Sequence, residues 1–267
     1  MKRRDFLTKS LAATSFAGLS TALGAAAIED KNPPREFYEL RLYHLRRGPM
    51  QKRFDDYCRD AALPAMNRLG IRPIGVFNVM AGPDSPTVYV LIPYQSMEEF
   101  ATVGERLRAD EGYQKAGADF INATATDPAF VRVESSLMIA FSGVPRLEVP
   151  AAMKDKKPRI FELRTYESHS KKANKKKVEM FNIGEIAIFR RAGLAPVFFG
   201  ETVIGSKLPN LTYMLVFENM AERDKNWGQF GADPEWKKLS TTPGYTDPEI
   251  VSNISSLFLR PTPYSQI

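Results

Sequence analysis

The chain writes one pattern twice. PheTyrGluLeuArgLeuTyr at 37–43 returns as IlePheGluLeuArgThrTyr at 160–166, an offset of 123 residues. Gly70 and Pro73 recur as Gly193 and Pro196, Met97 as Met220, and AlaAspGluGlyTyrGlnLys at 109–115 as AlaAspProGluTrpLysLys at 232–238. After a three-residue slip the offset becomes 120, matching ThrAspPro at 126–128 to 246–248 and SerSerLeuMet at 135–138 to SerSerLeuPhe at 255–258. Solenoid and propeller units repeat every 20 to 50 residues, so a period this long is one domain copied once.

Each copy reads as strand, helix, strand, strand, helix, strand. In the first, the pattern predicts a strand at 36–45, a helix at 50–69 closed by Gly70, strands at 72–81 and 87–94, a helical stretch at 97–122 and a last strand at 130–140. The second predicts a strand at 159–167, a helix at 172–192 before Gly193, strands at 195–204 and 211–218, a broken helix at 220–240 and a strand at 251–260. The repeats span 35–141 and 159–261, and the stretch 142–158, with Gly143, Pro145, Pro150 and Pro158, has linker composition. This order is ferredoxin-like: helices cover one face of a four-stranded sheet and leave the other bare. A bare apolar face must be buried. The expected fold is therefore α+β, with two ferredoxin-like repeats packed sheet to sheet as a pseudo-dimeric barrel.

Residues 1–27 stand apart from both copies. Lys2, Arg3 and Arg4 precede Asp5, Phe6 and Leu7, and a weakly apolar run rich in Ala, Ser, Thr and Gly ends at Ala25, Ala26 and Ala27. The run is shorter and more polar than the roughly 20 apolar residues that span a bilayer. It reads as a cleaved signal peptide of the twin-arginine kind, which predicts a bacterial protein delivered folded to the periplasm. Removing Lys2, Arg3, Arg4 and Lys9 together with Asp5 brings the formal charge from +6 to +3. The remaining basic clusters, Lys154, Lys156 and Lys157 and then Lys171, Lys172, Lys175, Lys176 and Lys177, read as a solvated linker and helix start. No nucleic-acid-reading motif accompanies them. The single cysteine, Cys58, excludes an internal disulfide and falls on the apolar stripe Phe54, Tyr57, Cys58, Ala61.

The twice-used GluLeuArgXTyr strand, the GlyXXPro turn after the first helix and AspProGluTrp at 233–236 resemble the NIPSNAP family. The resemblance covers both halves and departs from the pattern in the first copy, where Tyr113 stands for the tryptophan. It implies a dimeric α/β-barrel fold and no established reaction. Related barrels bind haem through a histidine, which makes haem a possible cofactor. However, the GlyXXAspGly string of two-unit haem peroxidases is missing here. His44 and His169 read as exposed strand-end residues, and they form no metal site.

Strand alternation sorts the opening strands into two faces. Tyr38, Leu40 and Leu42 share one with Phe161 and Leu163 and are expected to receive the helices. Glu39, Arg41 and Tyr43 share the other with Glu162, Arg164 and Tyr166 and are expected inside the barrel. There they would be either ion pairs that hold the register or a ligand clamp with arginine for a carboxylate and tyrosine as donor. Tyr113 and Trp236 are candidate caps for the barrel mouth. Glu185 interrupts the apolar spacing Val178, Phe181, Ile188 and Phe189, either buried with a raised pKa or turned outward.

Three functions fit these residues. One is a module binding a small apolar or amphipathic ligand or a protein partner, with oligomers allowed. The others are a monooxygenase-like enzyme, cofactor-free or haem-using, and a structural protein whose barrel is filled.

Overall fold

The computed structural model describes residues 33–82, 86–149 and 158–267. Expectations about the signal peptide, and about Lys154, Lys156 and Lys157, therefore lie outside the described residues. Eight strands form the frame: β1 (Phe37–His44), β2 (Gly75–Val79), β3 (Thr87–Tyr94), β4 (Arg132–Ala140), β5 (Ile160–Glu167), β6 (Ala195–Ile204), β7 (Asn210–Phe217) and β8 (Asn253–Pro261). They close antiparallel in the order β1-β3-β2-β8-β5-β7-β6-β4. Each copy supplies four consecutive strands of the ring. The copies meet where β4 pairs with β6 and β2 with β8.

Each copy's first long helix is interrupted at the same place. α1 (Pro49–Tyr57) runs through a π-helical turn at Cys58–Ala62 into α2 (Leu63–Arg68). Its repeat runs from Lys171–Met180 through a π turn at Phe181–Glu185 into Ile186–Arg191. Both close on a glycine in the left-handed region, Gly70 at φ 86° and Gly193 at φ 80°, a conformation other residues reach only with strain. The remaining helices, in chain order after α2, are α3 (Met97–Arg108), α4 (Glu111–Ala116) and α5 (Ala118–Ile121). In the second copy the split long helix is α6 (Lys171–Met180) and α7 (Ile186–Arg191), followed by α8 (Met220–Ala232), α9 (Pro234–Ser240) and α10 (Asp247–Ile250). Equivalent caps start the second helices: Ser96 accepts from the Glu99 amide, and Asn219 from that of Glu222.

Among the described residues three large apolar cores result, with a small fourth cluster around Ala173, Met180 and Ile250. The barrel interior holds Tyr38, Leu40, Phe77, Leu91, Met138, Phe161, Leu163, Phe198, Met214 and Leu259. Outside it, one core lies between the first sheet and its helices, around Tyr43, Phe54, Cys58 and Phe120. The other lies between the second sheet and its helices, around Tyr166, Phe181, Phe189 and Tyr213.

The two faces are therefore the reverse of the expectation. Tyr38, Leu40, Phe161 and Leu163 point into the barrel, whereas Glu39, Arg41, Tyr43, Glu162, Arg164 and Tyr166 point outward beneath the helices. A closed eight-stranded barrel is just wide enough for side chains to fill it. Its centre offers charged groups no partner but one another, and apolar rings from both sheets interlock there instead: Tyr38 on Phe198 at 5.2 Å and Phe77 on Phe161 at 4.8 Å. The helix layer can supply the hydrogen bonds that the buried charges require.

The connecting stretch is anchored over its described part. Glu36 donates its amide to the Pro145 carbonyl and accepts from the Leu147 amide, and Glu148 donates to the Val197 carbonyl. Leu147 and the fully buried Ile267 pack into the barrel core at one end. At the other end the ring splays. Among the described residues, β4 meets β6 only from Leu137 onward, and β8 meets β2 only at Leu259–Pro261. The starts of β4 and β8 thus have a strand on one side alone.

Candidate functional site

The splayed end opens a concavity of about 360 Å³. Leu40, Leu42, Tyr89, Met138, Leu163 and Leu257 line its floor; Thr165, Thr212, Thr202, Ser136, Ser255 and Asn210 add hydroxyl and amide groups above them. The register explains this layering. Inward positions two apart on β5 run Phe161, Leu163, Thr165, and their partners on β7 run Val216, Met214, Thr212. Polarity therefore rises toward the mouth on both strands. Thr165 and Thr212 bond at 2.9 Å, and Thr202 donates to Asn210 at 2.6 Å. Charged groups flank the rim: Arg132 pairs with Glu134 at 2.8 Å, and Lys207 lies 3.9 Å from Glu167. A larger depression of about 770 Å³ is lined by Met80, Arg159, Glu218, Met220, Arg260 and Thr262 among others.

His44 also lines the mouth, and it is not the exposed residue expected. Its Nε2 stands 2.9 Å from a Glu134 carboxylate oxygen and its Nδ1 3.2 Å from the Thr87 hydroxyl. The Nε2 contact lacks hydrogen-bond geometry, so the ring is held through Nδ1, and His169 is exposed on the surface. The described residues hold no group of three or more His, Cys, Asp or Glu side chains placed to hold a metal ion.

Beneath the helices, the duplicated motif builds two related networks. In the first copy, Glu39 accepts from Arg41 Nε and Nη2 at 2.6 and 2.8 Å, from the Tyr94 hydroxyl at 2.9 Å and from Ser135 at 2.7 Å. Burial alone would raise the Glu39 carboxyl, but the bonds and charge of Arg41, with Ser135 and Tyr94, hold it below its usual value. In the second copy, Glu162 is fully buried and accepts from Arg164, Arg223, Trp227 and Ser256. Burial again pushes upward, and the donors Arg223, Ser256, Trp227 and Arg164 bring the carboxyl down to about 2.

The second network continues inward. Arg164 donates to the Tyr166 hydroxyl at 3.2 Å, which also accepts from Tyr213 at 3.2 Å. Lys177 bonds Glu185 at 3.1 Å with both side chains at most 2% exposed. The ammonium is ringed by Tyr166, Phe181 and Trp236 at 5.1 to 5.6 Å. Burial works against the Lys177 charge, and Glu185 with Tyr166 and Asp247 outweighs it, so the lysine stays protonated. Lys177 therefore does not belong to a solvated helix start. Trp236 packs on Phe230 at 4.3 Å and Tyr113 bonds Tyr57 at 2.8 Å. Both lie in the helix layer, so neither caps the barrel mouth.

The structure thus divides the candidate residues between two helix-covered clusters, Glu39, Arg41, Tyr43 and Tyr113 in one and Glu162, Arg164, Tyr166, Glu185 and Trp236 in the other. Sequence reasoning missed Lys177, Arg223 and Trp227. Lys177 had a signal, since it precedes Val178 and Phe181 on the apolar stripe and stands eight residues before Glu185. Arg223 and Trp227 had none, because their first-copy counterparts are Phe100 and Gly104.

Fold and sites define a tandem ferredoxin-like protein of the dimeric α/β-barrel type, with both subunits' roles in one chain. The NIPSNAP family model matches residues 38–143 and 161–266, and the chain belongs to the NIPSNAP family. A search of curated proteins gives no significant match. Among solved structures, an uncharacterised NIPSNAP-like domain protein from Burkholderia xenovorans is 21% identical, over 40% of this chain and 88% of its own, with a TM-score of 0.36. A candidate monooxygenase from Lactobacillus acidophilus is 9% identical, over 84% of this chain and 93% of its own, with a TM-score of 0.54. At that identity the likeness concerns the fold and not the activity. Among the described residues, no helix is long and apolar enough to cross a membrane.

Proposed function

We propose that the chain is an exported binding module that holds a small amphipathic ligand at the open end of its barrel. One observation carries this reading: a concavity of about 360 Å³ whose apolar floor and hydroxyl-bearing wall come from both copies. Small-molecule sites usually measure roughly 300 to 1,000 Å³ and combine apolar walls with a few placed polar groups. An alkyl or aryl body would lie on Leu40, Leu42, Leu163 and Leu257. Its polar end would meet Thr165, Thr212, Ser255 and the Arg132 and Lys207 side chains. Export rests on Arg3 and Arg4 and the small residues up to Ala27.

Native mass spectrometry of the protein exported by its own leader tests both parts. The expected species starts shortly after Ala27 and carries a bound small mass, which Leu42→Trp removes by filling the floor. An uncleaved cytoplasmic chain would overturn export. A ligand-free mass that also fails to take up octanoate would overturn the binding site.

A further inference from the structure

The two copies fill the space beneath their helices differently. The offset of 123 pairs Ala62 with Glu185, Val90 with Tyr213, Cys58 with Phe181, Met66 with Phe189, Leu107 with Phe230 and Tyr113 with Trp236. The structure upholds this alignment, since Arg41 faces Val90 across β1 and β3 as Arg164 faces Tyr213 across β5 and β7. The two π turns coincide as well, and such turns recur at functional sites. At every one of these six positions the first copy has the smaller side chain. The result is a cavity of about 60 Å³ whose lining includes Arg41, Tyr43, Tyr57, Ala62, Val90 and Tyr113.

The second copy indicates what such a space accepts. It places an acid there from its own chain: Glu185, fully buried and bonded to Lys177 at 3.1 Å, whose carboxyl burial pushes up while the charges of Lys177 and, more weakly, Arg164 offset part of that rise. In the first copy Ala62 removes that acid and Val90 removes the tyrosine ring, while the arginine and first tyrosine remain. Phe54 stands where the second copy has Lys177, so an anion in the first copy would pair with Arg41 rather than with a lysine. Arg41 gives Nε and Nη2 to Glu39 and still leaves its side chain 26% exposed. The Tyr57 and Tyr113 hydroxyls, 2.8 Å apart, add a donor on the opposite wall.

We propose that the first copy binds a small free carboxylic acid in this cavity, its carboxylate standing where Glu185 stands in the second copy. About four waters, or an acid of roughly two to three carbons, fit such a volume. This site is separate from the barrel mouth and independent of the reading given for it. Arg41 and Tyr43 lie outside the barrel wall, and Leu42 between them points in.

Amide correlation spectra of the mature chain titrated with propionate, in a buffer free of carboxylates, test the proposal. Saturating shifts are expected at residues 41–43, 57–63 and 113, with residues 163–165 and 255–257 unmoved. Propionamide is expected to bind at least tenfold more weakly. Ala62→Leu and Ala62→Glu, which refill the cavity, are each expected to weaken propionate at least tenfold. Arg41→Gln has the same expected effect; the two Ala62 variants carry the test should it not fold. Absence of saturating shifts, shifts confined to the mouth, or propionate affinity unchanged in both Ala62 variants would overturn the site.

Discussion

The first and second copies share a backbone plan and an opening motif, yet their helix-covered interiors are built on different physics. Below the first copy's helices a single buried pair, Glu39 and Arg41, borders a small cavity. Below the second copy's helices, two acids and three cations, Glu162, Glu185, Arg164, Arg223 and Lys177, interleave with aromatic rings that include Tyr166, Phe181, Phe189, Tyr213, Trp227, Phe230 and Trp236. Duplication lets one copy stay densely crosslinked while the other keeps room. The difference teaches that the shared Glu-Arg-Tyr motif marks a structural position in both copies, and that the residues around it decide whether the position is filled.

The comparison can be broken most sharply at Lys177. Lys177→Met leaves Glu185 buried without its cation and is expected to lower unfolding stability in urea by about 3 to 5 kcal/mol. Adding Glu185→Leu should recover most of the loss. A single-variant loss under about 1 kcal/mol would mean that the buried pair does not hold the second copy together.

A somewhat smaller effect is expected at Glu162, and it depends on pH. Its folded carboxyl is lowered from 4.5 to about 2. A lowered folded pKa gives stability that is present above the unfolded value and lost as pH falls through the folded one. Glu162 thus contributes about 3 kcal/mol above pH 4.5, declining toward pH 2. Glu162→Gln should flatten that acid limb in denaturant titrations run from pH 6 to pH 2. An unchanged limb would place the acid sensitivity elsewhere.

The smallest of the three changes is expected at Glu39→Gln, about 2 kcal/mol at neutral pH, since one arginine and two hydroxyls lose a charged acceptor there. Measured beside Glu162→Gln in the same urea series, it ranks the copies. A larger loss at Glu39 would reverse the comparison.

Much of this architecture was legible beforehand, for identifiable reasons. Gly70 and Gly193 closed the long helices because few other residues adopt a positive φ, and alternating apolar residues marked the opening strands within a residue of their observed limits. The π turns had no such signature, since they change the spacing of side chains without requiring a particular residue. Burial of Lys177 was hidden by its neighbours, Lys171, Lys172, Lys175 and Lys176, which made a helix face look uniformly solvated. The direction of Glu39 and Arg41 was misread for a related reason. Both faces of β1 carry large apolar side chains, Tyr38 and Leu40 on one and Tyr43 on the other.

From the sequence alone come the duplication, the element order, the two ferredoxin-like units and the partition of each opening strand into two sets of residues. These are properties of periodicity and local backbone preference, and they need no partner to exist. Tertiary structure alone decided which set faces the barrel, where the ring splays to form a mouth, and which copy keeps a cavity. Those outcomes depend on volumes and hydrogen-bond partners brought together from strands and helices far apart in the chain, such as Val90 against Arg41 and Arg223 against Glu162.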